Sequence, residues 1–182
     1  MSRAALFLDR DGVVVAAVDY LHRIEDSRFT PGLFALTAAF AARGYAVVMA
    51  TNQSGIGRGL YGEATFARLN DWMRAEIRKN GGQLDAIYYA PTHPTEATGK
   101  FRRVSDWRKP GPGMFLGAAR DLSLDLGGSV SIGNEQSDID AGRDAGIPHR
   151  FLLDPRAPAP VPRDDCVVVP KLLDILPWIA PA

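Results

Sequence analysis

Short continuous apolar runs alternate along the chain with longer stretches in which apolar residues recur at helical spacing. The runs at 4–8 and 45–50 have the unbroken hydrophobicity of strands buried on both faces, and the shorter or interrupted apolar stretches at 84–89, 130–132 and 149–153 are expected to be further strands. Between them, Leu33, Leu36 and Phe40 share one helical face, and Phe66, Leu69, Met73 and Ile77 share another within 63–79. Thr30-Pro31 predicts the first helix start, with Thr30 as N-cap and proline in the first turn, and Gly44 predicts its end. Further helices are expected at 113–121, at 139–145 and from Lys171 onward, with a short strand at 167–169. Loops are expected up to Phe29, at the glycine-rich 54–62, at the irregular 91–108 and at the proline-rich, extended 155–162. Strand–helix alternation of this kind predicts an α/β fold: a Rossmann-like, doubly wound, mainly parallel sheet with helices on both faces. No internal repeat or second boundary interrupts residues 1–182, so one domain is expected.

Charge narrows the function classes. The 21 Lys+Arg balance the 21 Asp+Glu, so neither a nucleic-acid footprint nor a polybasic membrane patch is expected. No apolar run is long enough to span a bilayer, and the N-terminus lacks a signal-peptide layout, so a cytoplasmic location is expected. The single cysteine, Cys166, excludes an internal disulfide and a cysteine-based zinc site. Standing before three valines, it is expected to be a core or half-buried thiol rather than a reactive one.

Four polar clusters stand where apolar runs end or helices begin. In Phe7-Leu8-Asp9-Arg10-Asp11-Gly12, the period of a strand turns both carboxylates to one side and Arg10 to the other. Ligands of open α/β sheets bind at the carboxyl ends of strands. The second cluster follows 47–50: Thr51 offers a hydroxyl, and the backbone N–H groups after it can form an anion nest. Third, Arg108-Lys109 precedes a proline-opened helix, where a lysine can pair with a phosphate oxygen and a carboxylate at once. Fourth, Gly133-Asn134 ends a strand with Asp138 four residues on, and Asn134 or Ser137 is the expected cap of the next helix. Each cluster alone has a bland explanation in turn, cap or surface chemistry.

Taken in order, the four clusters resemble the four motifs of the haloacid dehalogenase-like phosphohydrolases, over roughly Leu6 to Leu153. Thr51-Asn52-Gln53-Ser54-Gly55-Ile56-Gly57-Arg58-Gly59, Arg108-Lys109-Pro110-Gly111-Pro112-Gly113-Met114 and Tyr88-Tyr89-Ala90-Pro91-Thr92-His93-Pro94 resemble its histidinol-phosphatase and heptose-bisphosphate phosphatase branch. The resemblance implies a phosphatase acting through an aspartyl-phosphate on a small-molecule sugar phosphate. Heptose bisphosphate is the favoured substrate, and histidinol phosphate is the alternative. It makes Asp9 the nucleophile and Asp11 the acid–base group. Thr51 and the Asn52 amide would hold phosphate oxygens, and Lys109 would neutralise the charge gathered there. Magnesium would be held by the Asp9 carboxylate, the Asp11 carbonyl and Asn134. Arg108 would anchor a second phosphate, with Asp19, Tyr20 and Ser54 flanking the sugar.

Two departures from the family pattern matter. The fourth motif usually reads Gly-Asp, and Asn134 supplies oxygen without negative charge; a catalytically impaired sugar-phosphate binder is therefore the alternative from a different functional class. Many relatives carry a zinc loop, but its positions here are Ala90, Thr92, Ser105 and Trp107, so no zinc is expected. His22, His93 and His149 show no ligand pattern and are expected to be structural or surface residues. Neither inter-motif interval has room for an inserted cap domain, so an open, loop-framed site is expected; separately, a monomer is expected.

Overall fold

The computed structural model describes residues 2–178. Seven strands form one sheet: β1 (Arg3–Leu8), β2 (Ala46–Asn52), β3 (Ala86–Ala90), β4 (Leu124–Gly133), β5 (His149–Leu153), β6 (Val161–Pro162) and β7 (Val167–Val169). Their order is β3-β2-β1-β4-β5-β7-β6, parallel throughout except for β6 against β7. The helices are α1 (Leu33–Ala42), α2 (Ser54–Gly57), α3 (Glu63–Lys79), α4 (Gly113–Leu122) and α5 (Gln136–Asp144).

Period-two alternation divides each central strand between two cores. Leu6 and Leu8 of β1, with Val47 and Met49 of β2, pack in one cluster with Leu36 and Phe40 of α1 and Leu69 and Met73 of α3. Ala5, Phe7, Ala46 and Val48 pack in the other with Met114, Phe115 and Ala118 of α4 and Ala141 of α5. Burial of both faces is why these strands read as unbroken apolar runs. The doubly wound sheet follows, and no cap domain is inserted among the described residues.

Several local expectations are corrected. Thr30 does not cap α1: the N-cap is Gly32 at φ 87°, and Thr30 only accepts the Leu33 N–H through its carbonyl. A left-handed residue is a position for glycine, so the chain turns there before winding. The glycine-rich loop begins with the single turn α2. β4 extends back to Leu124, because the Ser129 hydroxyl takes the Ala5 N–H where the ladder with β1 shifts register. Asp125 and the Gly127-Gly128 pair hide that stretch from a hydrophobicity pattern. α5 starts earlier than expected and is capped by Glu135, not Asn134 or Ser137, in a capping box with Asp138. The C-terminal segment winds as a 3₁₀ helix, Leu172–Trp178.

Cys166 precedes β7 and is buried, and burial, with Asp165 beside it, pushes the thiol up to about 11. No helix among the described residues is long and apolar enough to cross a membrane.

Candidate active site

β1, β2 and β4 end side by side, and the loops leaving them enclose an open cavity of about 410 Å³. Nine of the ten expected site residues line it: Asp9, Asp11, Asp19, Tyr20, Asn52, Ser54, Arg108, Lys109 and Asn134. Thr51, the tenth, is buried at the end of β2.

The floor is a charged knot. Lys109 is only 4% exposed, yet its ammonium has three acceptors: Asp9 Oδ1 at 2.8 Å, Asp138 Oδ1 at 2.5 Å and the Ala50 carbonyl at 2.8 Å. An ammonium has three donors, so each is matched and the buried charge is tolerated. Burial pushes the Asp9 carboxyl up to about 6, against the pull of Lys109 and with the repulsion of Asp138. Burial opposes the Lys109 charge too, but the two carboxylates outweigh it and hold the ammonium above its ordinary range. Two carboxylates around one ammonium leave the knot one positive charge short, which favours a further cation beside Asp9.

The residues around this knot hold it in place. The Asn52 side chain accepts the Lys109 N–H at 3.0 Å and donates to the Lys109 carbonyl at 3.1 Å. It therefore clamps the lysine's backbone and only its main chain is left for a ligand. Asp138 Oδ2 accepts the backbone N–H groups of Asn134 and Glu135, both at 3.0 Å. A side chain on Gly133 would collide with Asp138, which explains the glycine there. Asp138 is thus spent on Lys109 and its own loop, and it is no free metal ligand.

Asn134 presents a different chemistry. Its Oδ1 is buried and has no hydrogen-bond partner among the described residues. An orphaned amide oxygen is costly unless something outside the chain meets it. It shares the cavity with Asp9 and Asp11, a set of hard oxygens that suits magnesium. Gly12 makes the approach possible: its φ is 87°, and a Cβ there would lie 2.5 Å from Asn134 Nδ2. The zinc-loop positions offer no comparable set. Ala90 is fully buried, Ser105 Oγ accepts the Trp107 N–H, and the Trp107 indole donates to the Tyr89 carbonyl at 2.9 Å while its ring fills the space over Gly117.

Arg10 takes the expected side but does not stay apart from Asp11. Strand alternation predicts it on the side away from both aspartates, and its guanidinium does lie 5.8 Å over the Phe66 ring. Yet β1 ends at Leu8 and the chain is already turning, so Nε reaches Asp11 Oδ1 at 3.0 Å. Gln53 was not singled out by its sequence pattern as a site residue. It is buried, donates to Asp11 Oδ2 at 3.0 Å and to Thr51 Oγ1 at 2.9 Å, and accepts the Tyr61 hydroxyl at 2.6 Å. His22 stacks on Tyr61 with centroids 5.3 Å apart.

The mouth is looser. Arg108 is half-buried and donates to the Thr92 carbonyl at 3.3 Å. Burial and the neighbouring Arg58 hold its guanidinium below the ordinary range, while Glu135 and Glu96 oppose this. Arg58 pairs with Glu96 and lies 5.3 Å over the exposed Tyr20 ring.

A HAD-hydrolase-like family model matches residues 106–153, the span from the Lys109 segment to the end of β5. The D-glycero-alpha-D-manno-heptose-1,7-bisphosphate 7-phosphatase of Burkholderia mallei is 42% identical over 98% of this chain and 95% of its own. The D-glycero-beta-D-manno-heptose-1,7-bisphosphate 7-phosphatase of Vibrio cholerae is 41% identical over 84% of this chain and 82% of its own. The crystal structure of D,D-heptose 1,7-bisphosphate phosphatase from B. bronchiseptica, complexed with magnesium and phosphate, superposes with a TM-score of 0.80 at 29% identity, covering 96% of this chain and 97% of that one. With strand ends, charged knot and relatives in agreement, the chain belongs to the heptose-1,7-bisphosphate 7-phosphatase family of HAD-like hydrolases.

Proposed function

We propose that this phosphatase hydrolyses the 7-phosphate of D-glycero-D-manno-heptose 1,7-bisphosphate through an aspartyl-phosphate on Asp9, with magnesium as cofactor. The observation that carries the reading is the buried Asp9–Lys109–Asp138 knot, which opens onto the same cavity as the unpartnered Asn134 oxygen.

Asp9 attacks phosphorus in line, and the bond from phosphorus to the sugar oxygen breaks. Asp11 gives its proton to the leaving oxygen. Water then attacks the aspartyl-phosphate, Asp11 takes the water's proton, and inorganic phosphate leaves with Asp9 restored. Lys109 holds Asp9 by one oxygen and neutralises charge that phosphate adds to the knot. Thr51 and the Asn52 backbone N–H hold phosphate oxygens. The Asp9 carboxylate, the Asp11 carbonyl and Asn134 Oδ1 would hold magnesium, which when bound screens an anionic phosphate from an anionic nucleophile. Arg108 takes the second phosphate, since a guanidinium fork suits paired phosphate oxygens. Asp19, Tyr20 and Ser54 flank the sugar.

The 91–108 loop is held by Trp107 and backbone bonds, and we assign it no zinc. We further take residues 1–182 as one domain, acting as a cytoplasmic monomer on a small sugar phosphate. The deciding experiment compares phosphate release from the α and β anomers of heptose 1,7-bisphosphate and from histidinol phosphate, with magnesium and after chelation. Magnesium-dependent release from a heptose anomer is expected to exceed release from histidinol phosphate by at least about tenfold. Preference for histidinol phosphate, or full activity in chelator, overturns the assignment.

A further inference from the structure

The amide of Gln53 occupies the space between the two groups through which protons and phosphate contacts are expected to pass. It is 2% exposed, and burying an amide is unfavourable unless its polar atoms are met. Here they are met completely. One nitrogen bonds Asp11 Oδ2 and Thr51 Oγ1, and the oxygen takes the Tyr61 hydroxyl. The orientation is set by charge: a flipped amide would set its oxygen against the Asp11 carboxylate.

Asp11 is therefore gripped at both oxygens, by Arg10 at Oδ1 and by Gln53 at Oδ2. Its side chain is still 30% exposed to the cavity. Arg10 holds only the Oδ1 end, so the bond from Gln53 to Oδ2 is what fixes the plane of the carboxyl group. The grip of Gln53 is in turn built by the glycines that follow. Gly59, at φ 78°, turns the chain back after α2. The Leu60 N–H then bonds the Gly55 carbonyl at 2.9 Å, and Tyr61 swings over the amide. A side chain on Gly55 would collide with the Tyr61 ring, so the path needs glycine there.

We propose that Gln53, pinned by Tyr61, is a positioning residue that aims the Asp11 carboxyl at the leaving oxygen. The proposal rests on Asp11 being the acid–base group. Its consequence is selective. Leaving oxygens that need a proton depend on where Asp11 points, and leaving groups that depart as stable anions do not.

The test measures kcat/KM for heptose 1,7-bisphosphate and for 2,4-dinitrophenyl phosphate with the wild type, Gln53→Leu, Tyr61→Phe and Asp11→Asn. In Gln53→Leu, the ratio of sugar-phosphate to dinitrophenyl-phosphate kcat/KM is expected to fall by at least about tenfold. Tyr61→Phe, which keeps the ring and loses only the hydroxyl, should shift the ratio in the same direction by about threefold, and it decides the matter if Gln53→Leu does not fold. A ratio unchanged in both variants, with Asp11→Asn still selective for the dinitrophenyl ester, overturns the positioning role alone. An unselective loss in Asp11→Asn overturns the acid–base assignment and the inference with it.

Discussion

The floor of the cavity and its mouth are built to different standards. At the floor, Lys109 ties the ends of β1 and β2 to the start of α5 through three short bonds, with no donor left over. At the mouth, Arg108 makes one bond of 3.3 Å, Arg58 pairs with a glutamate that is about half exposed, and Tyr20 and Asp19 are exposed. In a dry floor a misplaced charge is expensive, so geometry there is over-determined. In a wet mouth each contact is weak and screened, so residues can be exchanged without unfolding the protein. On the proposed function, the difference separates chemistry from choice of substrate: the floor would fix what reaction occurs, and the mouth which sugar phosphate is accepted.

The largest expected effect breaks the floor at its proposed nucleophile. Asp9→Asn keeps the shape but replaces the carboxylate with a very poor nucleophile, and turnover should fall at least about a thousandfold with the circular dichroism spectrum unchanged. Retained turnover would remove the aspartyl-phosphate mechanism.

Lys109→Met attacks the floor's stability as well as its chemistry. It leaves the Asp9 and Asp138 carboxylates facing each other in a buried site without their cation. Loss of one partner from a buried charge cluster costs about 3–5 kcal/mol, and the variant should unfold at correspondingly lower urea. Arg58→Ala, at the mouth, should change stability by less than about 1 kcal/mol, because its partner Glu96 is about half exposed and water screens the pair. Equal destabilisation by both changes would erase the contrast between floor and mouth.

Arg108→Ala tests the mouth in its own terms. If Arg108 grips the non-reacting phosphate, kcat/KM should fall about ten- to a hundredfold for a bisphosphate and much less for a monophosphate. The same loss on both would move Arg108 from substrate choice to the reacting phosphate or to folding.

The floor was also the part most legible in the sequence. Asp9 and Asp11 follow an apolar run, and ligands of open α/β sheets bind beyond the carboxyl ends of such strands, which points to both residues. Lys109 and Asn134 stood out because each lies at a junction between elements. Pairings across distance were not legible. Nothing in the spacing joins Lys109 to Asp138, 29 residues on, or turns the Asn52 side chain away from the ligand and onto the Lys109 backbone. Gln53 and Tyr61 are eight residues apart in sequence, and they meet only because Gly59 turns the chain back. Arg10 keeps to the side that parity predicts, over Phe66, yet it also reaches Asp11, because the strand ends at Leu8 and the chain is turning. The fold's two-faced core was legible throughout; the strand edge at 124–129 was not, because a serine hydroxyl there does the work of a backbone partner.

The smallest expected effect concerns the one floor residue that departs from the family pattern. Asn134 reaches the cavity with a buried oxygen that no described residue satisfies, so as a proposed ligand it lacks a carboxylate's charge. Asn134→Asp adds a carboxylate of nearly the same shape beside Asp9, whose carboxyl is already pushed up to about 6 by burial. The added charge raises attraction for a divalent ion but also raises repulsion against Asp9 and Asp138, so the net gain should be modest. The half-saturating magnesium concentration, measured through phosphate release at fixed substrate, should fall by about three- to tenfold. Without magnesium the same variant should be slightly less stable than the wild type, since a third carboxylate then joins a floor with one ammonium. Magnesium added before urea unfolding should reverse that order, because a ligand that binds only the folded state stabilises it in proportion to its affinity. An unchanged magnesium requirement, with no crossover in stability, would take Asn134 out of the metal's reach and leave Glu135, a cavity-lining carboxylate not tied to Lys109, as the residue to test next.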